Sequence, residues 1–496
     1  MNRLATLALV ALAALCAHPA QVGGEGRPRF GGTLEGSLLG APVTLDPPLA
    51  QTHAELTAVE LVFDTLYRVG PAGLAQPHLA VAAPVAAAGK VVIDIVPGVR
   101  FHDGSELVPA DVVASLERVR TTPARWTLAP ITAVAATPTG VELTTALPPE
   151  QIALLLALPA TAITKAGRAQ GDRPIGSGPF AVEIWDKKTR LVLRAFDGHF
   201  AGRPYLDQLV LRWYDTPDGE ARQFEKGDAQ LSSRGASVFT GVQPKFRAQD
   251  LEGPAALLVF VGFGRVHADV LADRSFRRAL DLALARSALT SVTSGERVAP
   301  SRSPLPVEAG GPMLDVRGDD VNGARAALAD AAKRVRALAP DRLPQLKLEI
   351  LIQDTRPDDR ELAERTALAL TKLDIKSVIT AVPAATLRDR VRRGDCDLWI
   401  GQLAAPVSAA PAWWGAAFAA GGDTWAEQRL AAGAIDTTAA HKAFAERLPI
   451  VPLLFRAVRI WHRSDVRGLG FDATGRPSYA DMFYFGDPAR AGRGKP

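Results

Sequence analysis

Residues 96–118 read VPGVRFHDGSELVPADVVASLER and contain two turns followed by the start of a helix. Pro97-Gly98 ends the preceding apolar run, which predicts a strand that stops at a tight turn. Asp103-Gly104 predicts a second turn, because Asp hydrogen-bonds to nearby backbone and Gly accepts a positive φ. From Pro109 onward the apolar residues follow a helical period, and one face carries Val112, Val113 and Leu116.

Further motifs follow in a fixed order along most of the chain. They are GGTL at 31–34 with LDP at 45–47, GSGPF at 176–180 with Trp185 after it, KGDA at 226–229, DRSFRRALDLALAR at 273–286, GDCDL at 394–398 and PIVPLL at 449–454. Together with FHDG at 101–104, this order resembles the extracytoplasmic solute-binding proteins that serve oligopeptide, dipeptide and nickel ABC importers. The chain is identified as a divergent member of that family.

The resemblance implies an α/β protein with the two-lobed, type II periplasmic-binding-protein-like fold and an extra small domain inserted in the first lobe. The division would be residues 29–50, 175–250 and 450–488 for lobe 1, residues 51–174 for the small domain and residues 251–449 for lobe 2, with a disordered tail at 489–496. Hinge connections are expected near Phe180 and Phe260.

Hydrophobic periodicity independently predicts a mixed α/β chain. Residues 346–353 alternate as a strand, 358–372 follow a helical period, and 375–382 read as a second strand, so the two strands should be parallel. Residues 189–196 and 206–214 read as antiparallel neighbours. Asp273 is expected to cap the helix that follows it.

The N-terminus predicts export. Arg3 precedes the apolar run 4–15, which is too short to span a bilayer, so residues 1–20 read as a secretory signal peptide and the mature chain should begin between His18 and Gly26. A lipid anchor at Cys16 is the alternative, which the bulky Leu15 disfavours. A periplasmic or otherwise extracytoplasmic location follows.

Composition excludes several classes of function. The net charge of +4 on 496 residues is too small to indicate nucleic-acid binding. Cys16 and Cys396 are the two cysteines, so removal of the signal peptide would leave no internal disulfide. We expect a monomer.

Catalytic and metal-binding motifs are absent from the sequence. It contains no G-x-S-x-G, H-E-x-x-H, C-x-x-C or G-x-x-x-x-G-K pattern. None of the eight histidines has another at i+3 or i+4, so a metal site would have to be assembled by the fold. His102 is expected to be a structural hydrogen-bonding residue. We therefore predict no enzyme activity, no cofactor and no metal.

The position of each residue relative to the family suggests which residues line the ligand cleft. The candidates are Gln51, Thr52, Arg234, Phe260, Phe263, Gln402, Leu403 and Trp413. Trp413 and Trp414 are expected in an Ala/Pro-rich loop at 404–417, where plain packing is the alternative to a ligand wall. These walls are more apolar than those of a peptide receptor.

Two departures from the family affect the expected ligand and local stability. Peptide-binding members carry an Asp that pairs with the peptide amino terminus, and Ala405 stands at that position, so ligands with a free amino terminus are disfavoured. Val108 replaces a Thr that would cap the next helix, which costs about 1 kcal/mol.

The predicted function is a solute-binding receptor that captures a small or peptide-like ligand between its lobes and delivers it to the membrane subunits of an ABC importer. A sensor or scaffold that kept the fold without transport is the first alternative. A secreted hydrolase, which would need a nucleophile–base pair in the cleft, is the second.

Overall fold

The computed structural model describes residues 28–484 except 71–72, 88, 168, 170, 215, 234–245, 292–297, 313–318, 405–406, 408 and 434. The expected signal peptide, Cys16 and the 489–496 tail lie outside the described residues. The strands are β1 Thr33–Ser37, β2 Tyr67–Val69, β3 Ala75–Pro77, β4 Val85–Ala87, β5 Lys90–Asp94, β6 Ile131–Ala136, β7 Gly140–Thr145, β8 Phe180–Asp186, β9 Arg190–Ala195, β10 Gln208–Arg212, β11 Leu231–Ser232, β12 Ala248–Glu252, β13 Leu257–Phe263, β14 Val298–Pro300, β15 Lys347–Gln353, β16 Lys376–Val382, β17 Leu398–Ala404, β18 Val451–Arg456, β19 Arg459–Arg463, β20 Val466–Arg467 and β21 Phe483–Tyr484.

The described α-helices are α1 His53–Val62, α2 Pro109–Val119, α3 Pro149–Leu155, α4 Pro217–Lys226, α5 Ala268–Leu271, α6 Arg274–Ala283, α7 Val321–Ala332, α8 Pro357–Thr371, α9 Ala384–Arg393, α10 Ala410–Ala420, α11 Trp425–Ala431 and α12 Thr437–Arg447. Short 3-10 helices connect several of them, including one over Pro123–Leu128.

Lobe 1 is built on a four-stranded sheet in the order β1-β10-β9-β8. β9 and β10 are antiparallel, as predicted for 189–196 and 206–214. Val59 and Val62 of α1 pack in the same core as Leu34 of β1 and Phe180 of β8. α1 therefore belongs to the core of lobe 1, although the sequence-based division placed it in the small domain.

The small domain contains a second four-stranded sheet, β4-β5-β7-β6, whose pairings are antiparallel. β5 ends before the Pro97-Gly98 turn, and α2 begins at Pro109, as the opening segment predicts. Val112 and Leu116 of α2 are fully buried, while Val113 is half-buried. Amphipathic periodicity therefore places this helix on its sheet correctly.

Lobe 2 is built on a six-stranded sheet in the order β14-β18-β13-β17-β15-β16. β15 and β16 pair in parallel with α8 between them, which confirms the predicted β-α-β unit. Asp273 accepts hydrogen bonds from the backbone N–H groups of Ser275 and Phe276 at 2.9 and 3.1 Å, so it caps α6 as predicted.

The six-stranded sheet lies between two apolar cores. Val259 and Val261 of β13 face the core formed with α6, α7 and α8. Leu258 and Phe260 face the opposite core, which continues into the small domain. The indole of Trp126 in the small domain lies so close to α10 that a Cβ at Gly415 would be 2.3 Å from it. The small domain thus packs directly on the helices of lobe 2.

A three-stranded sheet in the order β11-β19-β12 packs on the lobe 1 core through Leu231 and Ile460. Two adjacent chain segments connect it to the lobe 2 sheet. β12 leads into β13 through 253–256, and β18 leads into β19 through 457–458. The Gly253 N–H donates to the Val458 carbonyl at 2.8 Å, which couples the two crossings. Phe260 lies in β13, shortly after the first crossing, and Phe180 is the first residue of β8 in lobe 1, so the hinge expected near Phe180 stays a prediction.

The domain division as a whole stays a prediction, and besides the boundary around α1 a second one needs moving. β18 pairs with β13 and β14 of lobe 2, so the return to lobe 1 follows residue 456 and not residue 450.

Candidate functional site

The lobes meet where the parallel strands β15 and β17 end. Ile350 of β15 is paired in parallel with Leu398 of β17, so both strands point their carboxyl ends at the same edge. At that edge Leu56 of α1 packs with Leu257 and Ala404 of the lobe 2 sheet. Ligands of open α/β sheets bind outside the carboxyl ends of parallel strands. We call this junction the cleft.

The N-terminus of α1 forms the lobe 1 side of the cleft. The Thr52 hydroxyl accepts the Glu55 N–H at 3.3 Å, and the Glu55 carboxylate accepts the N–H groups of Gln51 and Thr52 at 3.0 and 3.1 Å. This is a reciprocal capping box. The Thr52 hydroxyl is therefore used by the helix, while Gln51 is exposed.

An ion pair crosses the cleft. Arg388 on α9 of lobe 2 lies 2.6 Å from the Glu55 carboxylate, whose side chain is fully buried. Glu55 also accepts the backbone N–H groups of Val43 and Thr44. One carboxylate thus holds the N-terminus of α1 and the second lobe together.

On the lobe 2 side of the cleft, charged residues follow the ends of two strands. These residues were not among the candidates predicted from the sequence. Arg456, the last residue of β18, donates to Asp358 at 3.1 Å, and Arg356 lies 3.4 Å from Asp359. Burial raises the pKa of Asp359 to about 6, although Arg356 and Arg456 oppose the shift. An Arg and two Asp residues directly after a predicted strand could have indicated these site residues, because ligands bind at the carboxyl edge of parallel strands.

The electrostatics also link the two sides of the cleft. Burial lowers the pKa of His53 on α1 to about 4, opposed by its 2.9 Å hydrogen bond to the Gly475 carbonyl. The positive charges of Arg476 and Arg456 lower that pKa further. Since Arg456 belongs to lobe 2, its charge reaches across to α1.

Strand alternation separates four of the predicted wall residues. Phe260 pairs with Gly401 and Leu258 with Leu403, so Phe260 and Leu403 lie on the face toward the small domain, both buried. Val259 pairs with Gln402, which places Gln402 and Phe263 on the other face. Successive side chains of a strand point to opposite faces, so these four residues cannot line one wall together. Phe263 packs under the Arg277 guanidinium, 4.4 Å from the ring centroid.

The expectation of a loop around Trp413 is wrong. Residues Ala410–Ala420 form α10, and both Trp413 and Trp414 are at most 1 % exposed. Trp413 contacts Phe455 edge-on at 5.6 Å, so the packing alternative holds in this conformation. Arg234 and Ala405 lie outside the described residues, and their roles stay predictions.

His102 acts structurally, as expected. Its Nδ1 accepts the Gly176 N–H at 3.3 Å and its Nε2–H donates to the Gly178 carbonyl at 2.9 Å. The FHDG turn is thereby joined to the GSGPF segment. That segment runs so close to the end of α1 that a Cβ on Gly176 would lie 1.9 Å from the Val62 oxygen.

Among the described residues, the nucleophile candidates do not have the arrangement that a hydrolase needs. Ser303 Oγ lies 3.4 Å from His441 Nε2, but Ser303 is only 3 % exposed and the His441 Nδ1 contacts the Thr437 carbonyl instead of a carboxylate. Burial raises the pKa of the Cys396 thiol to about 12, which removes its nucleophilic form at neutral pH.

Curated proteins align with short parts of the chain, an oligopeptide-binding protein and a transcriptional regulator among them. The oligopeptide-binding protein AppA of Bacillus subtilis is 28 % identical over 119 residues, which are 24 % of this chain and 22 % of AppA. The HTH-type transcriptional regulator SgrR of Escherichia coli is 36 % identical over 117 residues, which are 23 % of this chain and 21 % of SgrR. The alignments thus span about a fifth of each relative.

Solved structures match nearly the whole chain at low sequence identity. AppA from Bacillus subtilis in complex with a nonapeptide has a TM-score of 0.74 at 17 % identity, covering 93 % of this chain and 100 % of AppA. The periplasmic binding protein DppA from Helicobacter pylori in complex with the peptide STSA has a TM-score of 0.76 at 17 % identity, covering 92 % and 99 %. These matches confirm the two-lobed, type II periplasmic-binding-protein fold.

A family model gives the assignment. The model described as the middle part of the bacterial extracellular solute-binding proteins, family 5, matches residues 75–425, which is more than two thirds of the chain. This range includes the four-stranded sheet of the small domain and five of the six strands of the lobe 2 sheet, and it agrees with the family resemblance of the motifs. The chain belongs to the family 5 bacterial extracellular solute-binding proteins.

Proposed function

We propose that this protein is a non-enzymatic receptor that binds a small or peptide-like solute in the cleft and presents it to the membrane subunits of an ABC importer. The observation that carries the proposal is the connection of two lobes through the adjacent crossings 253–256 and 457–458, with contacts between the lobes across the cleft. A paired crossing of this kind allows rotation of one lobe against the other. Family membership supports the same reading.

The mechanism is a shift of population between an open and a closed form. A ligand that contacts both α1 and the carboxyl edge of the lobe 2 sheet binds the closed form more tightly, and this difference in affinity closes the lobes. The importer then recognises the closed form. Gln51 and Gln402 remain the proposed wall residues with accessible polar groups.

We place this activity outside the cytoplasm. The family description names extracellular proteins, and the N-terminal 20 residues have the pattern of a secretory signal peptide. Among the helices of the described residues, none combines the length and apolar character needed to cross a membrane.

A sensor is the second candidate function. The similarity to SgrR, a transcriptional regulator, shows that a related segment occurs in a protein with a regulatory name. Deletion of the gene separates the alternatives: a transport receptor is required for uptake of its solute, whereas a sensor changes gene expression and leaves uptake intact.

The test of solute binding uses protein purified from its native host without denaturation. We expect a small molecule to be released on unfolding and detected by mass spectrometry. Adding it back to refolded protein should reduce the radius of gyration in small-angle scattering. No released molecule, together with an unchanged radius of gyration in the presence of extract from the native host, would overturn the proposal.

A further inference from the structure

Three metal-ligating side chains from separate parts of the chain meet behind α1. Asp64 follows α1, His78 follows β3 of the small domain, and His199 lies between β9 and β10 of lobe 1. One carboxylate oxygen and one ring nitrogen from each His all lie within 4.8 Å of one another. Asp64 Oδ1 is 2.7 Å from His78 Nε2, and Asp64 Oδ2 is 3.5 Å from His199 Nε2.

His199 is oriented as a metal ligand would be. Its Nδ1 lies 3.0 Å from the Gly202 carbonyl, which can only accept a hydrogen bond, so Nδ1 carries a proton and Nε2 is the nitrogen that faces Asp64. The side chain is 5 % exposed, and its Nε2 has no hydrogen-bond partner among the described residues. Metal-binding histidines characteristically donate the second ring N–H to a carbonyl or carboxylate. A buried, unpaired acceptor is costly unless something binds it.

The surroundings hold the three side chains in place. The Phe200 ring packs against both imidazoles, with centroid distances of 4.9 Å to His78 and 5.0 Å to His199. The Ser177 hydroxyl donates to Asp64 Oδ2 at 3.0 Å. Ser177 is itself presented by the glycine segment that His102 binds. Two imidazoles and a carboxylate are therefore held together by an aromatic ring and a hydroxyl.

We propose that Asp64, His78 and His199 form a binding site for a divalent transition-metal ion, with Zn²⁺ as the best-matched ion. Two imidazole nitrogens and one carboxylate oxygen suit Zn²⁺, which binds such ligands at about 2.0–2.2 Å in tetrahedral geometry. Ligand atoms in that geometry lie about 3.3 Å apart, near the observed 3.5 Å between Asp64 and His199. The 2.7 Å Asp64–His78 contact opens when the metal binds His78 Nε2, and the single proton of the neutral imidazole then resides on Nδ1.

We expect the ion to have a structural role, with water in the fourth tetrahedral position that the three protein ligands leave open. Its ligand atoms are buried, with Asp64 at 0 % and His78 at 9 % side-chain exposure, so no substrate reaches the ion. The metal would join the small domain, through His78, to lobe 1, through His199. Arg68 lies 3.0 Å from Asp64 Oδ1 and opposes the metal with its positive charge.

The experiment titrates Zn²⁺ into tag-free, chelator-treated full-length protein by calorimetry. We expect one ion per chain and a rise of a few degrees in the thermal midpoint. His199→Ala should weaken binding by more than the ten- to hundredfold lost with an outer partner. Arg68→Gln should strengthen it by about tenfold or more, because a cation beside the ion is removed.

His267→Ala is the matched control. His267 Nδ1 lies 2.7 Å from Asp397 Oδ1, the same distance as in the Asp64–His78 pair, but no second His joins that pair among the described residues. Zn²⁺ affinity should not change in this variant. Equal losses in His267→Ala and His199→Ala would show adventitious surface binding and overturn the proposal.

A second measurement does not depend on any variant folding. The unmutated protein loaded with Co²⁺ should show the intense visible absorption of a tetrahedral site, and anomalous scattering should place the ion among Asp64, His78 and His199. Absence of stoichiometric binding, or an ion located elsewhere, would identify the cluster as a hydrogen-bonded structural contact only.

Discussion

Gly176 is required by a close approach of two backbones. A Cβ there would lie 1.9 Å from the Val62 carbonyl oxygen and 2.8 Å from the Phe63 ring. Gly176→Ala should therefore destabilise the protein by about 1–3 kcal/mol, the usual cost of overpacking. Urea unfolding followed by tryptophan fluorescence measures this loss.

Gly219→Ala is the control for that substitution. Gly219 lies in α4, and an added Cβ there would find its nearest neighbour, Thr216 Oγ1, at 3.4 Å. Ala is favoured over Gly inside a helix by up to about 1 kcal/mol, so stability should be unchanged or slightly higher. Equal destabilisation by both substitutions would contradict the close-approach argument.

The residue at position 405 bears on which ligands the cleft can bind. It follows Ala404, which is buried beside Leu56 at the cleft. Without an acid at this position, a free peptide amino terminus loses a charge-assisted hydrogen bond, about 1.5–3 kcal/mol or ten- to a hundredfold in affinity. Unblocked di- to pentapeptides should bind weakly, and Ala405→Asp should improve their binding in calorimetry. Sub-micromolar binding by the unmutated protein that acetylation of the peptide abolishes would refute this.

The capping box at the start of α2 has only one of its two hydrogen bonds. The Val108 N–H donates to the Asp111 carboxylate at 3.0 Å, but Val108 has no side-chain acceptor and is 44 % exposed. Val108→Thr should be more stable than Val108→Ala by about 1 kcal/mol, because only the hydroxyl can accept a backbone N–H of the first turn. Thermal unfolding of the two variants, which both remove the same exposed apolar contact, isolates that difference.

α10 shows how an element can be missed. Its sequence is rich in Ala, with Pro411 near its start and Trp413 and Trp414 adjacent, and we interpreted it as a loop. Pro is accepted in the first turn of a helix, and Ala has the highest helix propensity. The amphipathic signal is missing because α10 is buried on nearly all sides, so periodicity could not identify it.

For the molecule as a whole, the Arg388–Glu55 pair should bias the lobes toward the closed form. A hydrogen bond to a charged group contributes about 1.5–3 kcal/mol, so Arg388→Ala should shift the open–closed equilibrium by about ten- to a hundredfold toward the open form. Small-angle scattering of the unliganded variant should give a larger radius of gyration.

Arg392→Ala is the matched control on the same helix. Arg392 of α9 is 75 % exposed and pairs with Asp389 of its own helix, so its removal should leave the radius of gyration unchanged. An unchanged radius in Arg388→Ala as well would mean that other contacts across the cleft determine closure.

Sequence alone determined the features that depend on local order. The turns at Pro97-Gly98 and Asp103-Gly104, the cap at Asp273 and the β15–α8–β16 unit follow from backbone preferences and hydrophobic period. The structure confirms all four. The order of the motifs was also sufficient to identify the family and its two-lobed fold.

Only the tertiary structure decided which distant residues meet. The strand register placed Phe260 and Gln402 on opposite faces of the lobe 2 sheet, although both were predicted to line one cleft. Folding of three separate segments brought Asp64, His78 and His199 together, which no spacing of histidines along the chain could indicate. Local pattern specifies an element and its buried face, whereas contacts between elements depend on how all of them pack around shared cores.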